Sequence, residues 1–275
     1  MDFTRATYKS FLQVLQLKHD NSLSFQDYRN SFSPSIIQSI VILRHDVDRS
    51  PKNALKIAQI ENSLGISGTY YFRITPESYN LEIMNKILNM GHEIGYHYED
   101  IDLINSKLRI ENGELLKRNS EKYREILIDM AYESFCKNLV MLRRNFDIKT
   151  ICMHGSPKSK YDNRIIWEKY NYKDLGIIGE PYYDIDWNEF AYFTDTGRRW
   201  NGNSVSIRDK VNSRYNFNFK TTQQIIDNID KLPNKVMFTV HPERWNDSII
   251  PWVRELVWQN VKNQVKKNVV MRNLK

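Results

Sequence analysis

Asp46 and Asp48 stand two residues apart at the end of the apolar, β-branched run 39–45. Side chains alternate along an extended segment, so both carboxylates can project to one side while Val47 projects to the other. Two carboxylates facing one cavity repel unless a cation or a shared proton relieves them. A metal ion with one carboxylate as ligand and the other as base satisfies that requirement. The competing reading is that Asp48 merely caps the helix that follows, although Ser50 is placed to do so. His97, Glu99 and Asp100 follow a second strand-like run, His154 ends a third and His241 ends a fourth. In a parallel barrel the C-terminal strand ends build the active face. Polar residues recurring at one end of successive strands therefore point to a shared site.

The remaining histidines have plainer roles. His45 alternates away from Asp46 and reads as a packing residue, and His92, directly after Gly91, reads as structural. His19 falls in a polar turn and is expected to be exposed. Cys152 shares the side of its strand with His154 and is expected beneath it, in the core. Neither Cys136 nor Cys152 has a CxxC partner, so a paired-thiolate zinc site is not expected.

The elements that must position these groups alternate between helix and strand, the signature of an α/β fold. Helices are expected over 4–17, from Ser50-Pro51 to Gly65, over 81–88, over 114–146, near 162–170, over 222–232 and over 252–266. Strands are expected over 39–45, 68–74, 92–98, 149–153, near 175–178 and 190–194, over 235–240 and over 268–273. No linker interrupts the series, so residues 1–275 read as one domain with residues 1–37 as an N-terminal helical extension.

A chain of 275 residues with 41% hydrophobic and 27% charged residues is globular in composition. No apolar run approaches the roughly 20 residues of a membrane helix. The first residues carry too many polar side chains for a signal peptide, so the expected location is the cytoplasm. A net charge of +7 favours acidic ligands, but the basic residues are dispersed except near the C-terminus. That pattern suits a solvated surface better than a nucleic-acid patch. A second polar cluster, Thr194-Asp195-Thr196-Gly197-Arg198-Arg199-Trp200, follows an apolar strand. Guanidinium forks bind phosphate and Trp stacks on sugar faces. Asp195, Arg198, Arg199 and Trp200 are accordingly candidate substrate-binding residues, with a surface salt-bridge cluster as the competing reading.

The runs Leu43-Arg44-His45-Asp46-Val47-Asp48, Gly68-Thr69-Tyr70-Tyr71-Phe72 and Gly91-His92-Glu93-Ile94-Gly95-Tyr96-His97, with Met153-His154-Gly155 and Thr239-Val240-His241-Pro242 in order after them, resemble the polysaccharide deacetylase family, carbohydrate esterase family 4, and within it a cytoplasmic branch of surface-polysaccharide biosynthesis. The resemblance implies a distorted (β/α)7-type barrel and metal-dependent removal of an acyl group from an acylated amino sugar. By position Asp46 matches the catalytic base, Asp48 and His97 match metal ligands, and His241 matches the general acid. The family's second metal histidine falls at Ile101, which cannot ligate. His154 is the favoured third ligand of a divalent ion, expected to be zinc. Glu99 is the alternative, Asp100 is also in reach, and binding of no metal remains a third reading. The expected substrate is an acylated sugar carried on a nucleotide or lipid diphosphate. A hydrolase of a non-sugar amide and a catalytically silent carbohydrate-binding protein are the alternative functions.

Overall fold

The computed structural model describes residues 1–31, 39–111, 121–155, 159–201 and 209–273. Strand β2 (Ile40–Val47) is buried along its whole length. A β-branched run of this kind belongs in a parallel sheet covered on both faces. It pairs in parallel with β3 (Thr69–Phe72) on one side and β7 (Lys235–Val240) on the other. The sheet continues through β4 (Glu93–Tyr98) to β5 (Ile151–Met153), and in the other direction to β6 (Ala191–Thr194), giving the order β5-β4-β3-β2-β7-β6. A two-residue strand, β1 (Ser22–Leu23), pairs with Val41 and Ile42 beside the short β3. Beyond β5, a parallel bridge from Thr150 to Gly179 continues the curl toward the segment that leads into β6. The result is a distorted α/β barrel of parallel strands in a single domain.

The helices cover this barrel. The first, α1 (Arg5–Lys18), is capped by the Thr4 side chain and buries Tyr8, Phe11, Leu12 and Leu15. Its aromatic face meets Phe238 on β7 and both Trp200 and Trp245. Each such side chain contributes roughly 1.5–3 kcal/mol through burial, which ties the N-terminal segment firmly to the barrel. A short helix, α2 (Phe25–Asn30), follows. Helix α3 (Pro51–Ser63) begins with Pro at its first position, but Ser50 is left-handed and its side chain makes no capping bond. The sequence expectation of a Ser50 cap is corrected by that backbone conformation. After α4 (Leu81–Leu88), Gly95 on β4 lies so close to Tyr71 that any Cβ would collide with its ring.

Helix α5 (Asp100–Glu111) was not legible as a separate element, and α6 (Glu121–Arg143) carries the described part of the long helix expected over 114–146. Residues 114–120 of that expectation lie outside the described residues. The helix near 162–170 is a 3-10 turn, Asn163–Glu168, and the strand near 175–178 is reduced to the Gly179 bridge. Helices α7 (Pro181–Asp184) and α8 (Thr222–Ile226) are short. The C-terminal helix and strand expected over 252–273 are one helix, α9 (Ile249–Asn273). An apolar run such as 269–271 does not distinguish strand from helix by itself, and no Gly or Pro interrupts 252–273 to end the helix.

Candidate active site

Strand alternation puts Arg44, Asp46 and Asp48 on one side of β2, and the barrel interior lies on that side. Arg44 is 1% exposed and grips Asp46 with two bonds, Nε to Oδ1 at 2.8 Å and Nη2 to Oδ2 at 2.6 Å. Burial alone would raise the Asp46 pKa, but the Arg44 charge, helped by His97, brings it down to about 2. Asp46 is therefore ionised at every ordinary pH. Arg44 is the residue that the sequence reading passed over. Its position two residues before Asp46 was the available signal.

Asp48 reaches into the mouth. Its Oδ1 is buried and accepts no hydrogen bond, yet it lies 3.4 Å from His97 Nε2 and 3.6 Å from His154 Nε2. Burial opposes its ionisation, and the His154, His97 and His241 charges overcome that and hold its pKa well below the usual range. The other nitrogen of His97 is already oriented, with Nδ1 2.9 Å from the Cys152 carbonyl, and such outward anchoring is how metal-binding imidazoles are usually fixed. His154 Nδ1 lies 2.9 Å from Glu99 Oε2 without the geometry of a hydrogen bond. Glu99 in turn receives both Nε and Nη2 of Arg73, at 2.9 and 2.7 Å. Both its oxygens are engaged by Arg73, which suits a third ligand poorly.

A second donor set shares His97. Ligand atoms of Asp46, His97 and Cys152 lie within 4.8 Å of one another, all buried. Arg44 occupies both oxygens of Asp46, and burial raises the Cys152 thiol well above its ordinary pKa. This set suits a divalent ion less well than Asp48 with its orphaned oxygen. Asp48, His97 and His154 offer one carboxylate and two imidazole nitrogens, the ligand types of a catalytic zinc site with an open position. Ile101 is fully buried in the apolar core, and Asp100 faces Tyr96, Ser134 and Asn138 rather than the mouth.

His241 follows β7 at the same end of the sheet. Its Nδ1 is 2.7 Å from Asp195 Oδ1, and its backbone N–H donates to Asp195 Oδ2 at 3.0 Å. Burial and Arg244 push the imidazole pKa down, but the Asp195 pairing carries it above its ordinary value. Asp195 also accepts from Arg244 and from Trp245 Nε1.

The expected 195–200 substrate cluster is corrected accordingly. Asp195 is fully buried and holds His241. Trp200 is 2% exposed, packed against Phe3, Phe11, Phe238 and Trp245, with Nε1 donating to Thr222. It has no free face for a sugar. Arg198 lies over Phe3 and Trp252 and donates to the Trp252 carbonyl, and Arg199 donates to Asn201.

Other histidines separate similarly. His45 and His92 are buried beside Glu61 on the opposite face of the sheet from Asp46, where Glu61 also accepts from Tyr8 and Tyr70. His19 is buried beside Ser39, not exposed, and desolvation lowers its pKa to about 4.

No helix among the described residues is long and apolar enough to cross a membrane. No family model and no curated protein matches the chain. Among solved structures it is similar to Escherichia coli diaminopropionate ammonia lyase in its apo form, at a TM-score of 0.22 and 14% identity, covering 95% of this chain and 79% of that one. It is also similar to a mutant carbohydrate esterase family 4 pseudoenzyme with restored enzymatic activity, at a TM-score of 0.36 and 12% identity, covering 86% of this chain and 69% of that one. The wild-type form of that pseudoenzyme, from Bacillus anthracis, matches at a TM-score of 0.39 and 13% identity over 86% of this chain, which spans 66% of the pseudoenzyme's length.

Proposed function

We propose that this chain is a metal-dependent hydrolase that removes an acyl group, such as acetyl, from an amino sugar borne on a phosphate or diphosphate carrier. The observation that carries the reading is Asp48 Oδ1, buried, without a hydrogen bond, and flanked by the Nε2 atoms of His97 and His154. Asp48, His97 and His154 would hold the ion. Bound to these residues, a divalent ion, with zinc the best match to the donors, would supply Lewis-acid polarisation of the acyl carbonyl and a water of lowered pKa. Asp46, kept ionised by Arg44, accepts the proton of the attacking water. His241, whose pKa the Asp195 pairing raises, donates a proton to the departing nitrogen as the C–N bond breaks. The acid leaves with the water oxygen and the sugar leaves as a free amine.

Titration of the purified, chelator-stripped chain with zinc tests this. Wild-type protein is expected to bind one equivalent, and Asp48→Ala, His97→Ala and His154→Ala each to weaken binding by at least about tenfold. Ile101→His is expected to add nothing, because that position packs in the core. Failure of wild-type protein to bind zinc would instead favour a silent sugar-binding protein, and rescue by Ile101→His would remove His154 from the ligand set.

A further inference from the structure

We infer that α9 and Arg49 form the binding surface for the non-reacting end of the substrate, and that this end is an anionic amphiphile, a phosphate joined to an aliphatic chain. The inference rests on the proposed function only in taking the bound molecule as substrate.

Helix α9 crosses the barrel mouth. Glu255 pairs with Arg49, the residue after Asp48, at 2.9 Å, and Asn263 donates to the carbonyl of Gly197 beyond β6. Between Arg49 and the helix lies a cavity of about 580 Å³, lined by Arg49, Arg254, Glu255, Val257, Trp258 and Val261. Arg49 is matched by Glu255 in the lining and by Glu243 at 3.9 Å, which leaves Arg254 as the lining's cation without a carboxylate partner among the described residues. Arg254 itself is exposed. Lys262 is partly buried beside Trp258, and burial and then Arg49 and Arg244 oppose its charge more than Glu255 and Glu243 support it. An anion here would relieve that repulsion.

The rest of the lining is apolar and does not stop at the cavity. Trp258 is 49% exposed and Val257 57%, and Ile249, Ile250, Val253 and Val261 continue the exposed stripe. From Ile249 to Val261 the stripe runs for about 18 Å of helix. A nucleobase would cover one turn of it, whereas an aliphatic chain can follow its length. A second copy of this chain, at net charge +7, would bring like charge to Arg254. Exposed apolar surface of this extent marks an interaction site, and apolar contact beside cations is the pattern of binding at a lipid headgroup.

Sedimentation of the full chain with phosphatidylcholine vesicles, with and without a minor fraction of long-chain isoprenyl phosphate, tests the inference. Binding is expected only to vesicles carrying the phosphate. Arg254→Glu and the double variant Val257→Asp/Val261→Asp are expected to weaken it by at least about tenfold. All these positions are exposed, and circular dichroism and zinc titration should match wild type. Absence of wild-type binding, equal binding to plain phosphatidylcholine, or unchanged binding by the variants would overturn the proposal. Uridine diphosphate is the second probe, and its binding by the wild type would assign the cavity to a nucleotide and overturn the lipid assignment. Asp48→Ala should keep vesicle binding, so loss of metal and loss of carrier binding are separate outcomes.

Discussion

Replacing Asp46 by Asn removes the charge that faces a buried guanidinium. Arg44 and Asp46 have side-chain exposures of 1% and 5%, so water cannot take over the lost interaction. Two magnitudes bear on the cost. The Asp46 pKa falls from 3.8 to about 2 on folding, and at about 1.4 kcal/mol per pKa unit this is worth about 2 kcal/mol. Deleting one partner of a buried pair outright costs about 3–5 kcal/mol. The first compares the ionised with the neutral acid, which Asn resembles. The second also removes the acceptors, as Ala does. Asp46→Asn is therefore expected to lose about 2 kcal/mol and Asp46→Ala about 3–5 kcal/mol in urea unfolding at neutral pH. Because the folded-state pKa is depressed, the wild-type contribution is complete above about pH 4 and disappears as pH falls toward about 2. The Asn variant should show none of this pH dependence. Adding Arg44→Leu to Asp46→Asn should recover part of the loss, since no unpaired charge then remains. An Asp46→Asn variant as stable as wild type at neutral pH would refute the buried pair and the ionised Asp46 that the mechanism needs.

Cys152→Ser is expected to leave zinc affinity unchanged and to leave the cobalt-loaded protein without any change in thiolate charge-transfer absorption; loss of such a band would move the ion to Asp46, His97 and Cys152. Asp195→Asn removes the partner that raises the His241 pKa, so the basic limb of the rate profile should move to lower pH and turnover at neutral pH should fall by about 10²-fold or more; an unmoved limb would assign the acid elsewhere. Trp200→Ala should cost about 3–5 kcal/mol by opening a core cavity while KM stays unchanged under conditions where it folds; an unchanged melting point with a raised KM would restore Trp200 to the substrate.

Much of the candidate site was legible in the chain because strand geometry is local. Period-two alternation set Asp46 and Asp48 on one side, and Arg44 followed the same rule although it went unread. Parallel pairing then brings strand ends together, so His97, His154 and His241 could be assigned to one mouth before any coordinates. The strand cores were legible for the same reason, while 3-10 turns and the helix that replaces the expected final strand were not, because short apolar runs have no distinguishing period. What only the tertiary structure decided depends on residues far apart in sequence. Trp200 is a core residue because α1, nearly two hundred positions earlier, supplies Phe11 against it. Asp195 serves His241 because β6 lies beside β7. Glu99 is drawn away from a ligand role because Arg73, from beyond the neighbouring strand, takes both its oxygens. A side chain's type limits the chemistry it can do, but burial and its partners choose among those chemistries, and both are set by which distant segments the fold packs around it.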